Sequence, residues 1–475
     1  MIRFLLDQEL IELTSVSPDL TVLDWLRIHR QRTGTKEGCG SGDCGACTVV
    51  LASIHEQENG RAKLSYRSIN SCITFIGALH GKQLLTVESL ASDGDLHPVQ
   101  QCMVDEHGSQ CGFCTPGFVM SLYALYQQDA DTKYLKTKVE QALGGNLCRC
   151  TGYRPIIQAA ENALDLKESV SARPELHAEE SQTLNKLMEI GKEPANIVGF
   201  YQPDNLPAFA TFLQNNPTAR ILAGGTDLAL EVTQQMRNLP SIVSVNAVPE
   251  LKSIELKENS IELGAAVTLN DCMTALQDKI PGSRELLLRF GSDQVRNQGT
   301  VGGNIGSASP IGDLPPLLIA LGASITLQKG DDLRTLALED HYLGYRKTTL
   351  KSGEFIRSVS IPLPAAESHF SVHKISKRTD DDISSVCLAV HLPMHNGVVN
   401  SARLAFGGMA ATPVRAMEAE QKLNGAEFTQ ASVLQAQQAI ALELKPLSDA
   451  RASAAYRLQV AQNLLQRVLL EVQSS

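Results

Sequence analysis

Eight of the eleven cysteines in this 475-residue chain fall into two spaced sets. Cys39, Cys44 and Cys47 lie in CGSGDCGAC, a C-x4-C-x2-C run, and Cys72 follows later. That is the plant-type spacing for thiolate ligation of a [2Fe–2S] cluster. The interleaved glycines suit the task, because a loop around an anionic cluster needs positive φ values and amide N–H groups close to sulfur. Structural zinc is the plainer alternative, but zinc sites favour paired short spacings. The second set pairs Cys111 and Cys114 in CGFC with Cys148 and Cys150 in CRC. Thr115-Pro116 predicts a cap and a first-turn proline, and another helix is expected from Tyr153 to Leu164. Each pair then sits at a helix boundary, where the N-terminal dipole favours a thiolate. Cys102, Cys272 and Cys387 have no spacing partner and read as small apolar packing residues.

Two glycine-rich loops offer different chemistry. Arg220 to Leu228 reads as a strand running into a Gly-Gly-Thr turn, whose bare amides can form a nest for a pyrophosphate. By itself such a turn is weak evidence of binding, and it lacks the G-x-G-x-x-G order of a Rossmann fingerprint. The stretch from Gln298 to Asp313 collects glycines, hydroxyls and an amide side chain able to bond phosphate and ribityl oxygens together. A third segment, Lys374 to Ile383, reads on its own as a solvated charge cluster at a strand end. The eleven histidines show no metal-ligand spacing.

The elements that must position these residues can be read from periodicity. Residues 1–85 open with two apolar strands around Asp7-Gln8-Glu9, a hairpin, followed by a helix capped by Asp19 or Thr21. Trp25, the only tryptophan, reads as core. Residues 86–165 turn helical, with Val119, Leu122, Tyr123 and Tyr126 at helical spacing, and suggest a small bundle. The charge-rich stretch 166–192 reads as a linker. From 193 to 365, short strands alternate with helical pieces and glycine turns, which predicts an α+β domain. Residues 366–475 carry further strands, around Val386 to Leu392 and Ala402 to Phe406, then Ala- and Leu-rich helices, and read as a separate, smaller domain.

Bulk composition agrees with a modular globular chain: 43% hydrophobic and 20% charged residues, at a length too great for one core. The formal net charge of -10 argues against a nucleic-acid surface. The first residues lack a signal-peptide pattern, no stretch is long and apolar enough to span a membrane, and a cytoplasmic location is expected.

The segments EGCGSGDCGACTVV, the lone Cys72 in NSC, GSQCGFCTPGFVMS and GNLCRCTGYRPI occur in that order. Together they resemble the xanthine dehydrogenase branch of the molybdenum hydroxylases. The resemblance implies one [2Fe–2S] cluster on Cys39, Cys44, Cys47 and Cys72 and another on Cys111, Cys114, Cys148 and Cys150, with Gln110 and Cys150 facing a pterin. It implies a multidomain α+β fold: a ferredoxin-like β-grasp domain, a helical-bundle [2Fe–2S] domain, a non-Rossmann FAD-binding domain and a small α+β C-terminal domain. It carries FAD contacts to Ile221, Leu222, Ala223, Gly224, Gly225, Thr226, Asp227 and Leu228, to Thr300, Val301, Gly302, Gly303 and Asn304, and to Asp313. Phe290 would pack against the flavin, and Ile383 would lie by its adenine-ribose side. The family segment seen here as Leu343 to Thr348 receives no role. Animal members continue into a long molybdopterin domain. The resemblance here is to the small subunit of split enzymes, which implies a large molybdenum-bearing partner, a heterotetramer of two small and two large chains, and NAD⁺ as acceptor. No catalytic residue is expected in this chain. Related modules serving aldehyde or aromatic substrates, and a stand-alone electron carrier, are the competing expectations.

Overall fold

The computed structural model describes residues 1–56, 60–91, 94–128, 135–170 and 174–474. The chain divides into two compact units. The first comprises Met1–Asn205, Thr218–Val248 and Ser292–Gly299; the second comprises Leu206–Pro217, Pro249–Gly291 and Thr300–Ser475.

The first unit opens with a mixed five-stranded sheet, in the order Glu9–Leu13, Ile2–Leu6, Gln83–Leu85, Thr48–Glu56, Ala62–Asn70. Ile2–Leu6 pairs antiparallel with its hairpin partner, Leu6 opposite Glu9, and parallel with Gln83–Leu85. Side chains alternate across a strand, so the two faces take different residues. Ile2, Phe4 and Leu6 point into a core with Val22, Leu23, Trp25 and Leu26, and Phe4 meets Trp25 edge-on at 5.2 Å between ring centres. Thr21, not Asp19, caps this helix by accepting from the Asp24 amide, and the helix passes from Val22–Asp24 into a π-helical turn, Trp25–His29.

Leu5, Ala52 and Leu64 face the other way and are covered by Leu187 and Ile190 of a helix, Pro174–Ile190. The expected linker is therefore corrected: of residues 166–192, only 171–173 lie outside the described residues, and most of the rest is helical. Its charge hid a narrow apolar stripe, and burying each such side chain is worth ~1.5–3 kcal/mol. Thr183 bonds to Gln8, and Glu180 accepts from the Leu64 amide, which fixes the helix on the sheet.

Helices Pro98–Asp105, Thr115–Gln127, Leu135–Leu143 and Arg154–Val170 form the bundle, around Phe118, Leu122, Val139, Ile156 and Ala160. The cap of the second helix is Cys114 itself, with Thr115 already helical. A four-stranded sheet completes the unit, ordered Ala195–Ile197, Phe200–Gln202, Ile242–Ser244, Arg220–Leu222, with Ile242–Ser244 parallel to both neighbours. Phe200, Leu222, Ala229 and Ile242 share the Trp25 core. Of residues 193–365, the stretches 193–205, 218–248 and 292–299 thus lie in the same unit as the cysteine domains.

In the second unit, an antiparallel sheet runs Ile254–Leu256, Ser260–Gly264, Phe355–Pro362, Ser324–Lys329, Asp332–Ala337. A further sheet holds Ser368–Ile375, Val386–His395, Arg403–Gly407 and Val414–Arg415. Its central strand is buried on both faces: Val386, Leu388 and Val390 enter a core with the C-terminal helices Gln430–Glu443 and Ala454–Ser474, while Cys387 and Ala389 join the core of Leu263, Leu317 and Ile325. The small residues face the helix Leu314–Ala320. One face of the sheet in residues 366–475 thus completes the preceding core, within the same compact unit. Cys102, Cys272 and Cys387 are all buried in apolar cores, as their isolation in sequence predicts.

Candidate cluster and flavin sites

Cys39 and Cys44 lie on the glycine loop, Cys47 directly precedes the strand Thr48–Glu56, and Cys72 sits in the 3-10 turn Ser71–Ile73 that follows Ala62–Asn70. Thr48 pairs with Asn70, so the hairpin register delivers Cys47 and Cys72 to the same end. Their sulfurs are 3.2 Å apart. Gly40, Gly42 and Gly45 take φ of 64°, 84° and 67°, the left-handed region. The Ser41 amide donates to Cys39 Sγ at 3.4 Å, and Asn70 Nδ2 donates to the Gly42 carbonyl at 2.8 Å. Hydrogen bonding with Cys44 and then Cys72 holds the Cys39 thiol well below its ordinary range, and hydrogen bonding with Cys72 lowers Cys47. Cys44 and Cys72 are pushed up by the same contacts and by burial.

The second set is paired in the same way. Cys150 shares a hydrogen bond with Cys111, and Cys148 shares one with Cys114. The amides of Cys150 and Thr151 donate to Cys148 Sγ, both at 3.4 Å, and Thr151 Oγ1 lies 3.2 Å away. Burial alone pushes the Cys148 thiol up, but the Thr151 hydroxyl and these amides outweigh it and bring the thiol down to about 7. Burial and the contact with Cys148 push Cys114 up to about 12. Tyr153 lends its hydroxyl to accept from the Cys148 amide at 2.9 Å. Cys111 and Cys150 are exposed.

These residues fit [2Fe–2S] clusters. Each set offers two adjoining thiol pairs, whereas a single zinc ion needs its ligands around one point. Among the described residues, no three His, Cys, Asp or Glu side chains are so arranged. Thiols packed this closely cannot all ionise unless a cation compensates.

The flavin residues expected from sequence fall on both units. In the first, Arg220–Leu222 leads into the turn, with Gly225 at φ 79° and Arg220 clasping Glu231 at 2.8 Å. A Cβ on Gly224 would stand 2.0 Å from the Gln298 carbonyl oxygen, so only glycine permits that approach. Leu222 is core, while Ile221 and Asp227 are exposed. In the second unit, Thr300 Oγ1 accepts from the Gly303 amide at 3.0 Å and caps Val301–Gly306. Asn304 Oδ1 is buried with no partner among the described residues, an acceptor suited to a ligand donor. Phe290 packs against the core, and Ile383 is exposed. Both oxygens of Asp313 are taken, Oδ2 by Lys374 Nζ at 2.7 Å and Oδ1 by Ser384 Oγ at 2.5 Å. Lys374, at the start of the charged segment, is thus buried, whereas Lys377 and Arg378 are solvated.

Two links join the functional loops of the first unit. Leu147, beside Cys148, donates its amide to the Cys44 carbonyl at 3.0 Å. On the other side, Gln234 Nε2 donates to the carbonyl of Gly40 at 3.0 Å and reaches that of Cys39 at 3.3 Å, and a Cβ on Gly225 would stand 3.2 Å from the carbonyl of Ile73, next to Cys72. Sequence reading assigned no role to Leu147 or Gln234. Leu147 carried a signal in its place beside the CRC motif, whereas Gln234 carried none.

Four family models match the chain in succession. They are the 2Fe-2S iron-sulfur cluster binding domain over residues 5–77, the [2Fe-2S] binding domain over 86–161, the FAD binding domain in molybdopterin dehydrogenase over 195–364, and the CO dehydrogenase flavoprotein C-terminal domain over 371–472. The chain has the iron–sulfur and FAD subunit layout of the molybdenum hydroxylases. It is 32% identical to xanthine dehydrogenase of Emericella nidulans over 91% of this chain and 36% of that one, and 30% identical to xanthine dehydrogenase/oxidase of Gallus gallus over 87% and 36%. It therefore spans about a third of the length of these curated relatives. Among solved structures, Cu,Mo-CO dehydrogenase in its cyanide-inactivated form aligns with a TM-score of 0.54 and 27% identity, covering 56% of this chain and 94% of that one. Quinoline 2-oxidoreductase from Pseudomonas putida aligns with a TM-score of 0.53 and 28% identity, covering 58% and 96%. Among the described residues, no helix is long and apolar enough to cross a membrane.

Proposed function

We propose that this chain is the electron-transfer subunit of a xanthine dehydrogenase. In this reading, electrons enter from a molybdopterin cofactor on a large partner subunit and pass to the Cys111/Cys114/Cys148/Cys150 set, then to the Cys39/Cys44/Cys47/Cys72 set. They continue to FAD and to NAD⁺, supporting oxidation of hypoxanthine and xanthine to urate. The observation that carries the order is the position of the Cys39/Cys44/Cys47/Cys72 set: Leu147 bonds to the Cys44 carbonyl on one side, while on the other Gln234 bonds to the Gly40 carbonyl and Gly225 approaches the Ile73 carbonyl beside Cys72. The exposure of Cys111 and Cys150 suits a set that meets the partner. Bound clusters carry single electrons, and a flavin exchanges one-electron for two-electron chemistry, which hydride delivery to NAD⁺ requires.

Within the first unit, the Gly-Gly-Thr turn offers bare backbone amides suited to the phosphates of FAD. The likeness to quinoline 2-oxidoreductase and CO dehydrogenase favours a second reading, in which the partner subunit oxidises a non-purine substrate. Purification of the native complex decides between them. Two [2Fe–2S] clusters and one FAD per chain, with xanthine-dependent NAD⁺ reduction, support the first reading. Activity on an aromatic heterocycle but not on xanthine supports the second. If Cys148→Ser leaves electron delivery to the flavin intact, the proposed order is wrong.

A further inference from the structure

A buried polar knot lies where the two cysteine domains meet. Gln294, Ser121, Thr48 and Asn146 are 0%, 1%, 1% and 2% exposed. Gln294 Nε2 donates to Ser121 Oγ and Asn146 Oδ1, both at 3.0 Å, and reaches Thr48 Oγ1 at 3.4 Å. Asn146 Oδ1 also accepts from Ser121 Oγ at 2.7 Å, while its Nδ2 donates to the Gly45 carbonyl at 3.1 Å. Glycines allow the close approach: a Cβ on Gly117 would stand 2.1 Å from the Gly45 oxygen, and one on Gly145 would stand 2.3 Å from Gln294 Oε1.

The ends of the knot adjoin residues of both cysteine sets. Gly45 follows Cys44, Asn146 lies two residues before Cys148, and Leu147 between them makes the bond to the Cys44 carbonyl. Apolar packing is non-directional and would let the bundle slide on the sheet, whereas donors and acceptors of fixed geometry select one register. Gln294 Oε1 is buried without a partner among the described residues, so the arrangement is not optimised for stability alone. The segment carrying Gln294 also carries Gln298, which bonds to Thr74 at 2.8 Å and packs on Gly224. One short segment therefore touches the second cysteine domain, the first, and the flavin turn.

Resting on the electron-transfer reading, we infer that Asn146 and Gln294 are positioning residues for electron exchange between the two clusters. They hold the Leu147–Cys44 hydrogen bond in register and so set the separation and orientation of the two thiolate sets. Neither side chain touches a cysteine sulfur in these contacts. Their effect passes through the backbone at Gly45 and Leu147.

The test uses the full chain carrying both clusters. Gln294→Leu removes the Nε2 donations to Ser121 and Asn146 and the longer contact with Thr48 at nearly constant volume, and Ser121→Ala removes one donor to Asn146 with little risk to folding. Iron and sulfide content, the dipolar splitting between the two reduced clusters by electron paramagnetic resonance, and the rate of electron redistribution after flash reduction are compared with the parent. Gln294→Leu is expected to keep its iron while the splitting shrinks and the rate falls on the order of tenfold or more, the scale on which small misplacements of reacting groups act. Ser121→Ala is expected to move both in the same direction, by less. Unchanged splitting and rate in iron-replete Gln294→Leu would overturn the inference. So would loss of iron in Gln294→Leu together with parental coupling in Ser121→Ala. A parent chain that takes up no clusters would refute the electron-transfer reading and this inference with it, whereas a parent with coupled clusters and insensitive variants refutes the inference alone.

Discussion

Replacing Lys374 by Met tests whether the Asp313 ion pair organises the second unit. The two side chains are 2% and 3% exposed, with Nζ 2.7 Å from Oδ2. Methionine keeps the apolar stem of lysine and removes only the ammonium, so packing loss is small. What remains is a buried carboxylate facing one hydroxyl, that of Ser384. Breaking a buried pair from one side costs ~3–5 kcal/mol, which lowers the unfolding midpoint of a unit this size by roughly 6–20 °C. By contrast, the exposed pair of Lys192 and Glu189, with side chains 66% and 72% exposed, is worth ~0–1 kcal/mol, so Lys192→Met serves as the control. Calorimetry and urea titration at pH 7 read both. Adding Asp313→Asn to Lys374→Met neutralises the orphaned carboxylate and should restore at least half of the loss. A Lys374→Met shift no larger than that of Lys192→Met, or no recovery in the double variant, would refute the reasoning.

Gly224→Ala should release FAD while iron content is retained, because its Cβ meets the backbone of Gln298 and Gly299 rather than a side chain that could yield; flavin fluorescence after gel filtration measures this. Gly117→Ala gains ~1 kcal/mol of helix propensity but drives a methyl into the Gly45 carbonyl, and overpacking of ~1–3 kcal/mol should win, so a raised melting temperature would contradict the contact. His97 caps the helix Pro98–Asp105 by accepting from the Val99 amide at 3.2 Å, and burial lowers its pKa from 6.5 to about 4. The unfolded chain then binds this proton at higher pH than the folded one. Stability is therefore lost as pH falls from 6.5 toward 4, by at most ~3 kcal/mol. His97→Asn keeps a capping acceptor and removes the titration, so urea midpoints at pH 7 and 4.5 should converge relative to the parent.

Much of the site was legible in the sequence because its chemistry is local. A cysteine spacing with glycines at positive φ is fixed by the loop that carries it, so Cys39 to Cys47 read as cluster ligands before any fold was known, whereas the CGFC and CRC pairs were assigned to a second [2Fe–2S] cluster only through the family resemblance. Strand alternation likewise revealed the opening hairpin, and isolation in sequence marked Cys102, Cys272 and Cys387 as core. Three features were decided only by tertiary structure. The stretch 166–192 read as a linker because its apolar residues are few, yet Leu187 and Ile190 suffice once a second sheet face needs covering. The strand Val386–His395 carries small residues on one face and large on the other, and only packing shows that the small face belongs to the preceding core. Finally, Gln294 and Asn146 lie 148 residues apart. The sequence alone pointed to the sulfurs proposed to hold the clusters. The register between the two cysteine domains is set by hydrogen bonds between distant residues, and no local pattern encodes it.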